Sequence, residues 1–223
     1  MMMKMRRPSA AAGGFTLIEL LVAIAVLALL AVMSWRGIDG MTRAQSQLRE
    51  RADAVLTLQA SLAQWNSDLD NTVAMAPSRT IDWTGRALRL TRRSSAGGSP
   101  AMLVVAWTLR GDATGMRWER WQSVPLSTRS DWQQAWQQAG SWAQEGSNSI
   151  QGGSAVTLMP VASWQVLYFR NDAWSPAVSA EALGANVALP DGIRLLLELP
   201  PGAGLSGPVT LDWVRPNATY AKS

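Results

Sequence analysis

The sequence predicts an α+β fold: one long amino-terminal helix, its first half apolar enough for a membrane, packed on an antiparallel β-sheet head with a second small sheet. Three observations carry this. Phe15 to Met33 is an almost unbroken apolar run. Behind it, apolar residues recur at helical spacing as far as Leu69. After Pro77 the pattern changes to short alternating runs divided by Gly, Pro and Asn.

Composition narrows the function before any motif does. The chain has 223 residues, enough for one domain with an appendage. It has no cysteine, which removes disulfides, thiolate metal sites and a cysteine nucleophile. It has no histidine, which removes a Ser-His-Asp triad and imidazole-bound zinc. The isoelectric point of about 10.3 suggests a nucleic-acid partner only at first sight. Lys4, Arg6 and Arg7 supply three of the four net charges, and residues 15–223 carry 17 basic against 16 acidic groups. A basic surface is therefore not expected, and neither is nucleic acid.

The first element is the apolar run. Nineteen residues from Phe15 to Met33 make a helix of about 29 Å at ~1.5 Å per residue, the thickness of a bilayer's hydrocarbon core. Basic residues before it put the amino end in the cytoplasm, and Trp35 stands at the far interface. A secretory signal peptide fits poorly, because Ser34-Trp35-Arg36 is not a small-x-small cleavage site. A plain signal anchor leaves Glu19 unexplained, since a lone carboxylate in such a segment costs about 2–3 kcal/mol.

Gly13-Gly14-Phe15-Thr16-Leu17-Ile18-Glu19 resembles the type IV prepilin signature: basic leader, glycine, aromatic, and a glutamate fifth in the mature chain. The resemblance implies cleavage between Gly14 and Phe15 by a prepilin peptidase, with N-methylation of Phe15. It also implies an assembly role for Glu19, paired with the Phe15 amine of a neighbouring subunit.

The helix is expected to continue beyond the membrane. Met41, Leu48, Val55, Leu62 and Leu69 fall seven apart, with Ala52 and Trp65 on the same stripe. Arg49, Arg51, Asp53, Gln59 and Asp68 are assigned to the opposite face. Gly37 and Gly40 each weaken the helix by about 1 kcal/mol relative to Ala, so a bend or local melting is expected there.

Seven strands are expected in the head: Thr80–Trp83, Ala87–Thr91, Met102–Leu109, Met116–Val124, Trp164–Arg170, Ile193–Leu199 and Val209–Val214. Gly111–Gly115 and Pro200–Gly204 read as hairpin connections, and strand following strand argues antiparallel pairing. One short helix interrupts them, with Ser130 and Gln133 as its capping box and an end near Gly140. Gly146–Ser154 reads as a loop by composition.

The resemblance sharpens to the J-type minor pseudopilins of the type II secretion system. Ser34-Trp35-Arg36-Gly37-Ile38-Asp39-Gly40 looks like that family's aromatic-Arg-Gly-Leu-Asp segment. Leu167–Trp174 is similar to its late strand and polar turn, and Leu189–Leu195 to its Leu-Pro entry into the penultimate strand. H-type is the alternative branch. Four parts follow: a cleaved leader 1–14, a transmembrane assembly helix 15–35, its periplasmic continuation 36–76, and an antiparallel head 77–223. The resemblance implies a single-pass inner-membrane subunit with a periplasmic head and no enzymatic activity, cofactor or metal. Its implied partners are minor pseudopilins I and K in a tip complex, the H-type and major pseudopilins, and the processing peptidase.

Rival readings rest on single features. Twelve tryptophans suggest a tethered carbohydrate-binding module, but Trp also favours cores and interface anchors. Trp65, Trp164 and Trp213 are expected in the core, and Trp132 and Trp136 at a partner interface. Arg86, Arg89, Arg92 and Arg93 could serve a DNA-uptake pilin, although a charged strand edge is the simpler account. A minor pilin of a type IV pilus is the alternative function. Asp68, Asp70, Asp112, Glu119 and Asp131 read as solvated or capping groups, not as paired catalytic carboxylates.

Overall fold

Helix α1 runs from Leu17 to Asp70 in a computed structural model that describes residues 14–73, 80–94, 100–145, 152–179, 189–202 and 204–216. No proline falls within α1, and Ala and Leu dominate its first half, so its propensity is high. It stays helical through Gly37 and Gly40, so the expected melting does not occur. A side chain at either glycine would meet open space, so neither is there for packing. Contacts divide the chain at Arg49/Glu50 into an amino-terminal unit and a head that includes the rest of α1. The helix stops at Asp70, where Asn71 N–H bonds to Ser67 O and Thr72 N–H to Leu69 O. Of the continuation expected to residue 76, positions 74–76 lie outside the described residues.

The head holds two antiparallel sheets. Sheet A orders β1 (Ile81–Trp83), β2 (Ala87–Ser94), β3 (Ala101–Asp112), β4 (Gly115–Ser123) and β5 (Gly153–Pro160) as a simple meander. Sheet B orders β7 (Ala173–Pro176), β6 (Ser163–Arg170), β8 (Gly192–Leu199) and β9 (Gly207–Val214). All seven expected strands are present and pair antiparallel, and the β3–β4 and β8–β9 hairpins sit at the expected connections. Two strands, β5 and β7, were not anticipated. Strand β5 begins at Gly153, inside the segment whose composition reads as loop. At Gly153 a Cβ would lie 2.5 Å from the Trp121 ring, so the residue is small because β5 must close on β4 there. Strand β7 follows a two-residue turn in which Asn171 and Asp172 both take positive φ, 50° and 60°. That is the hairpin geometry matching strand twist, and among residues other than glycine Asn and Asp tolerate it best.

Layering follows from alternation along β3. Val105 and Trp107 face one side of sheet A and join Trp65 and Leu69 of α1, Leu88, Trp118 and the inner face of sheet B in the main core. Val104 and Ala106 face the other side and meet helix α2 (Arg129–Glu145) together with Trp121. A strand buried on both faces reads as a continuous apolar run, as Leu103–Trp107 does.

Helix α2 departs from expectation at both ends. Its cap is Thr128, whose Oγ1 accepts from Asp131 N–H at 3.1 Å, while Asp131 Oδ2 accepts from Thr128 N–H at 2.9 Å. The reciprocal pair lies two residues before the expected Ser130/Gln133 box and holds the Asp131 carboxyl below its usual pKa, the Thr128 side-chain bond being the largest cause. At the far end the helix continues through Gly140 to Glu145, which adds Trp142 to the core. A Cβ at Gly140 would stand 2.9 Å from Arg89 Nη1, so this glycine admits a guanidinium instead of ending the helix.

The heptad stripe on α1 is only partly a packing face. Leu62, Trp65 and Leu69 pack into the head core with Leu58, whereas Met41, Leu48 and Ala52 are exposed. A seven-residue spacing drifts by about 20° per repeat on a straight helix, so the stripe turns away from any one surface. Asp68, assigned to the solvent face, is fully buried.

Candidate functional site

The amino-terminal segment is built by a local motif. Thr16 is the N-cap of α1 and Glu19 its third residue. Glu19 Oε2 accepts from Thr16 N–H at 3.0 Å and Thr16 Oγ1 at 2.9 Å, and Glu19 N–H reaches back to Thr16 Oγ1 at 3.4 Å. Thr16-x-x-Glu19 is therefore a capping box, a signal legible in the sequence that the reading of the segment passed over. It relieves part of the carboxylate's cost within its own chain, and the helix amino terminus favours the negative charge. Phe15, next to the cap, is exposed. From Leu17 onward the helix is long and apolar enough to cross a membrane, and the apolar side chains from Leu17 to Met33 are exposed.

The head's most concentrated chemistry is the buried carboxylate of Asp68. Its Oδ1 accepts from Gln64 Nε2 at 2.9 Å, Arg120 Nη2 at 2.9 Å and Arg92 Nη1. Its Oδ2 accepts from Arg120 Nε at 2.7 Å and Trp107 Nε1 at 2.9 Å. One helical carboxylate thus joins the end of α1 to β2, β3 and β4. The clue was its place three residues after Trp65, hence on the same helix face.

The other sequence-selected residues divide sharply. Trp132 and Trp136 are buried against sheet A, with their rings stacked 5.2 Å apart and Trp132 Nε1 bonded to Thr91 Oγ1 at 2.8 Å. They are core residues and present no anchor to a partner; the helix carrying them is amphipathic and turns them inward. Arg89 and Arg92 lie on β2, an inner strand, and face Asp82 and Asp68. Their role is to neutralise buried carboxylates, not to guard a strand edge or offer charge to DNA. Nine of the twelve tryptophans are buried, Trp164 and Trp174 are half-buried, and Trp35 is exposed. Trp65, Trp107 and Trp118 pack as neighbouring rings in the main core, with centroids 4.5–5.6 Å apart. The rings therefore build the head and do not line a sugar platform. Arg194 stands 4.3 Å over Trp174 and holds Asp212 through paired 2.6 Å bonds, which lower the Asp212 pKa.

Glu119 bonds to Arg110 at 2.7 Å and Asp131 caps α2, so neither stands beside a second carboxylate as an acid–base pair. Burial pushes the Tyr168 hydroxyl pKa up, with the Asp82 charge adding to it. Among the described residues no group of three or more acidic side chains is placed to hold a metal ion.

Residues 10–35 match the prokaryotic N-terminal methylation motif. The type II secretion system protein J of Escherichia coli is 32% identical over 107 residues, 48% of this chain and 47% of that protein. The chain thus spans about half the length of the curated relative it matches. A chain in the crystal structure of the GspK-GspI-GspJ complex, from the enterotoxigenic E. coli type 2 secretion system, aligns with 73% of this chain and 98% of its own. Its TM-score is 0.48 and its identity 14%.

Proposed function

We propose that the chain is a J-type minor pseudopilin of a type II secretion system, a structural subunit and not an enzyme. Prepilin peptidase cuts between Gly14 and Phe15 and the new Phe15 amine is methylated. The leader is residues 1–14, residues 15–35 form the inner-membrane assembly helix with its amino end cytoplasmic, residues 36–70 continue it, and residues 77–223 belong to a periplasmic head. That head joins minor pseudopilins I and K in a tip complex that primes growth of the pseudopilus. The observation that carries this reading is the coincidence, in one register, of the methylation motif over residues 10–35 with Glu19 and the apolar helix. The likeness to a type II secretion protein J supports the secretion branch over a type IV pilus.

The test is the intact mass of the membrane-bound product, made with and without an active prepilin peptidase. N-methylated Phe15–Ser223, present only with the peptidase, is the expected product. An uncut chain in the presence of active peptidase would sink the reading.

Glu19 has two roles that can be separated. A Glu19→Gln variant keeps an acceptor for Thr16 N–H, since glutamine also serves in a capping box, but removes the charge. It should be cut and methylated normally, yet fail to crosslink to neighbouring subunits in the membrane. Crosslinking equal to that of the parent chain would leave Glu19 as a helix cap only.

A further inference from the structure

We propose that a pocket beside the end of α1, floored by Arg92 and Arg120, binds a single carboxylate group. The pocket is about 310 Å3, open on one side, with Gln64, Ser67, Gln122 and Ser123 among its polar lining. Its charge does not balance. Asp68, behind the two guanidiniums, is the only acid in contact with them among the described residues, and its side chain has no exposed surface. Five donors already converge on its two oxygens. One carboxylate set against two arginines leaves one unit of positive charge.

Both arginines are largely withdrawn from bulk water. Their side chains are 14% and 10% exposed, and both line the pocket. A buried charge without a counter-ion is costly, and its attraction for an anion is strengthened by the low dielectric around it. The planar guanidinium matches a carboxylate through parallel N–H bonds, while the Ser67 hydroxyl and the Gln122 amide on the wall suit its remaining lone pairs. A monoanion makes the cluster neutral. A phosphate dianion overshoots by one charge, and chloride cannot use the fork. The site stands whether or not the chain serves secretion.

The experiment uses the full chain in detergent micelles, with indole nitrogens labelled for NMR. Trp107 Nε1 donates to Asp68, so its indole signal reports on the cluster. Trp213 Nε1 donates to Asp70 and serves as the internal control. Sodium acetate, at ionic strength matched with chloride, should move the Trp107 signal to saturation and leave Trp213 in place. Arg92→Gln, which cancels the charge excess, should weaken the response about tenfold or more, the worth of one charge-assisted bond. Gln122→Glu guards against a folding failure: Arg120 Nη1 already donates to Gln122 Oε1 at 2.8 Å, so a carboxylate there occupies the site from within. That variant should fold and lose the acetate response. The peptide acetyl-Gly-Glu-Gly-amide, against its Gln counterpart, separates the sources. Saturation by acetate and by the Glu peptide alone assigns the site to an acidic side chain of a protein partner. Saturation by acetate with no response to either peptide assigns it to a free small carboxylate. A Trp107 shift that is linear, or equal in chloride, or unchanged in Gln122→Glu, overturns the site.

Discussion

Asp68→Asn is expected to destabilise the head by about 3–5 kcal/mol, because it removes the counter-charge from two buried guanidiniums while leaving them in place. Asparagine has the same shape and can still accept from Trp107 Nε1 or from one arginine. The loss is therefore electrostatic and not a cavity. Against a typical total of about 5–15 kcal/mol for a domain, it leaves the head near its unfolding threshold. Urea unfolding of the full chain, followed by tryptophan emission, measures it as a lower midpoint at unchanged slope. Arg92→Gln should cost markedly less, since Arg120 alone still balances Asp68. Asp70→Asn is the control. Asp70 is exposed and accepts one bond, from Trp213 Nε1 at 2.8 Å, which an asparagine oxygen can also accept. A loss below about 1 kcal/mol for Asp68→Asn, the range of an exposed pair, would mean that the cluster does not clamp α1 to the sheet.

Trp65→Ala should cost a similar amount, about 3–5 kcal/mol, for a different reason. Trp65 is fully buried, with Trp107 at 5.3 Å, Trp118 at 5.6 Å and Trp164 at 6.2 Å between ring centroids. Alanine leaves a hole that three large, mutually packed rings cannot collapse to fill. Trp65 Nε1 has no hydrogen-bond partner among the described residues, so Trp65→Phe gives up no bond there and should recover more than half of the loss. Thermal unfolding of the two variants side by side checks this. Equal losses for Ala and Phe would show that the indole has a polar role the packing account omits. Trp174→Ala, on the outer face of sheet B and half-buried, should cost far less than either.

These two residues show where reading the chain stops being enough. Trp65 was legible as core because an aromatic on a helical stripe has few other uses. Asp68, three residues on, was placed on the solvent face because acidic side chains usually belong there. Its partners lie 24, 39 and 52 residues away, on three different strands. Nothing near it in the chain announces two arginines and an indole. The arginines were misread for the same reason: a run of basic residues looks like surface until the carboxylates facing it are known. Trp132 and Trp136 were expected to face a partner, and only α2's packing on sheet A turned them inward.

The amino-acid sequence alone determined whatever depends on neighbours a few positions apart. That covers the membrane-length helix, the methylation motif over residues 10–35, the strands with their hairpins, and the α+β class. Periodicity, caps and turns are local, so each is written in consecutive residues. Tertiary structure decided the rest: that β5 joins a loop-like segment to sheet A, that Gly140 makes room for an arginine, and that Asp68 is the buried centre of the head. These depend on which distant side chains share one dry space, where a charge is stable only beside its opposite.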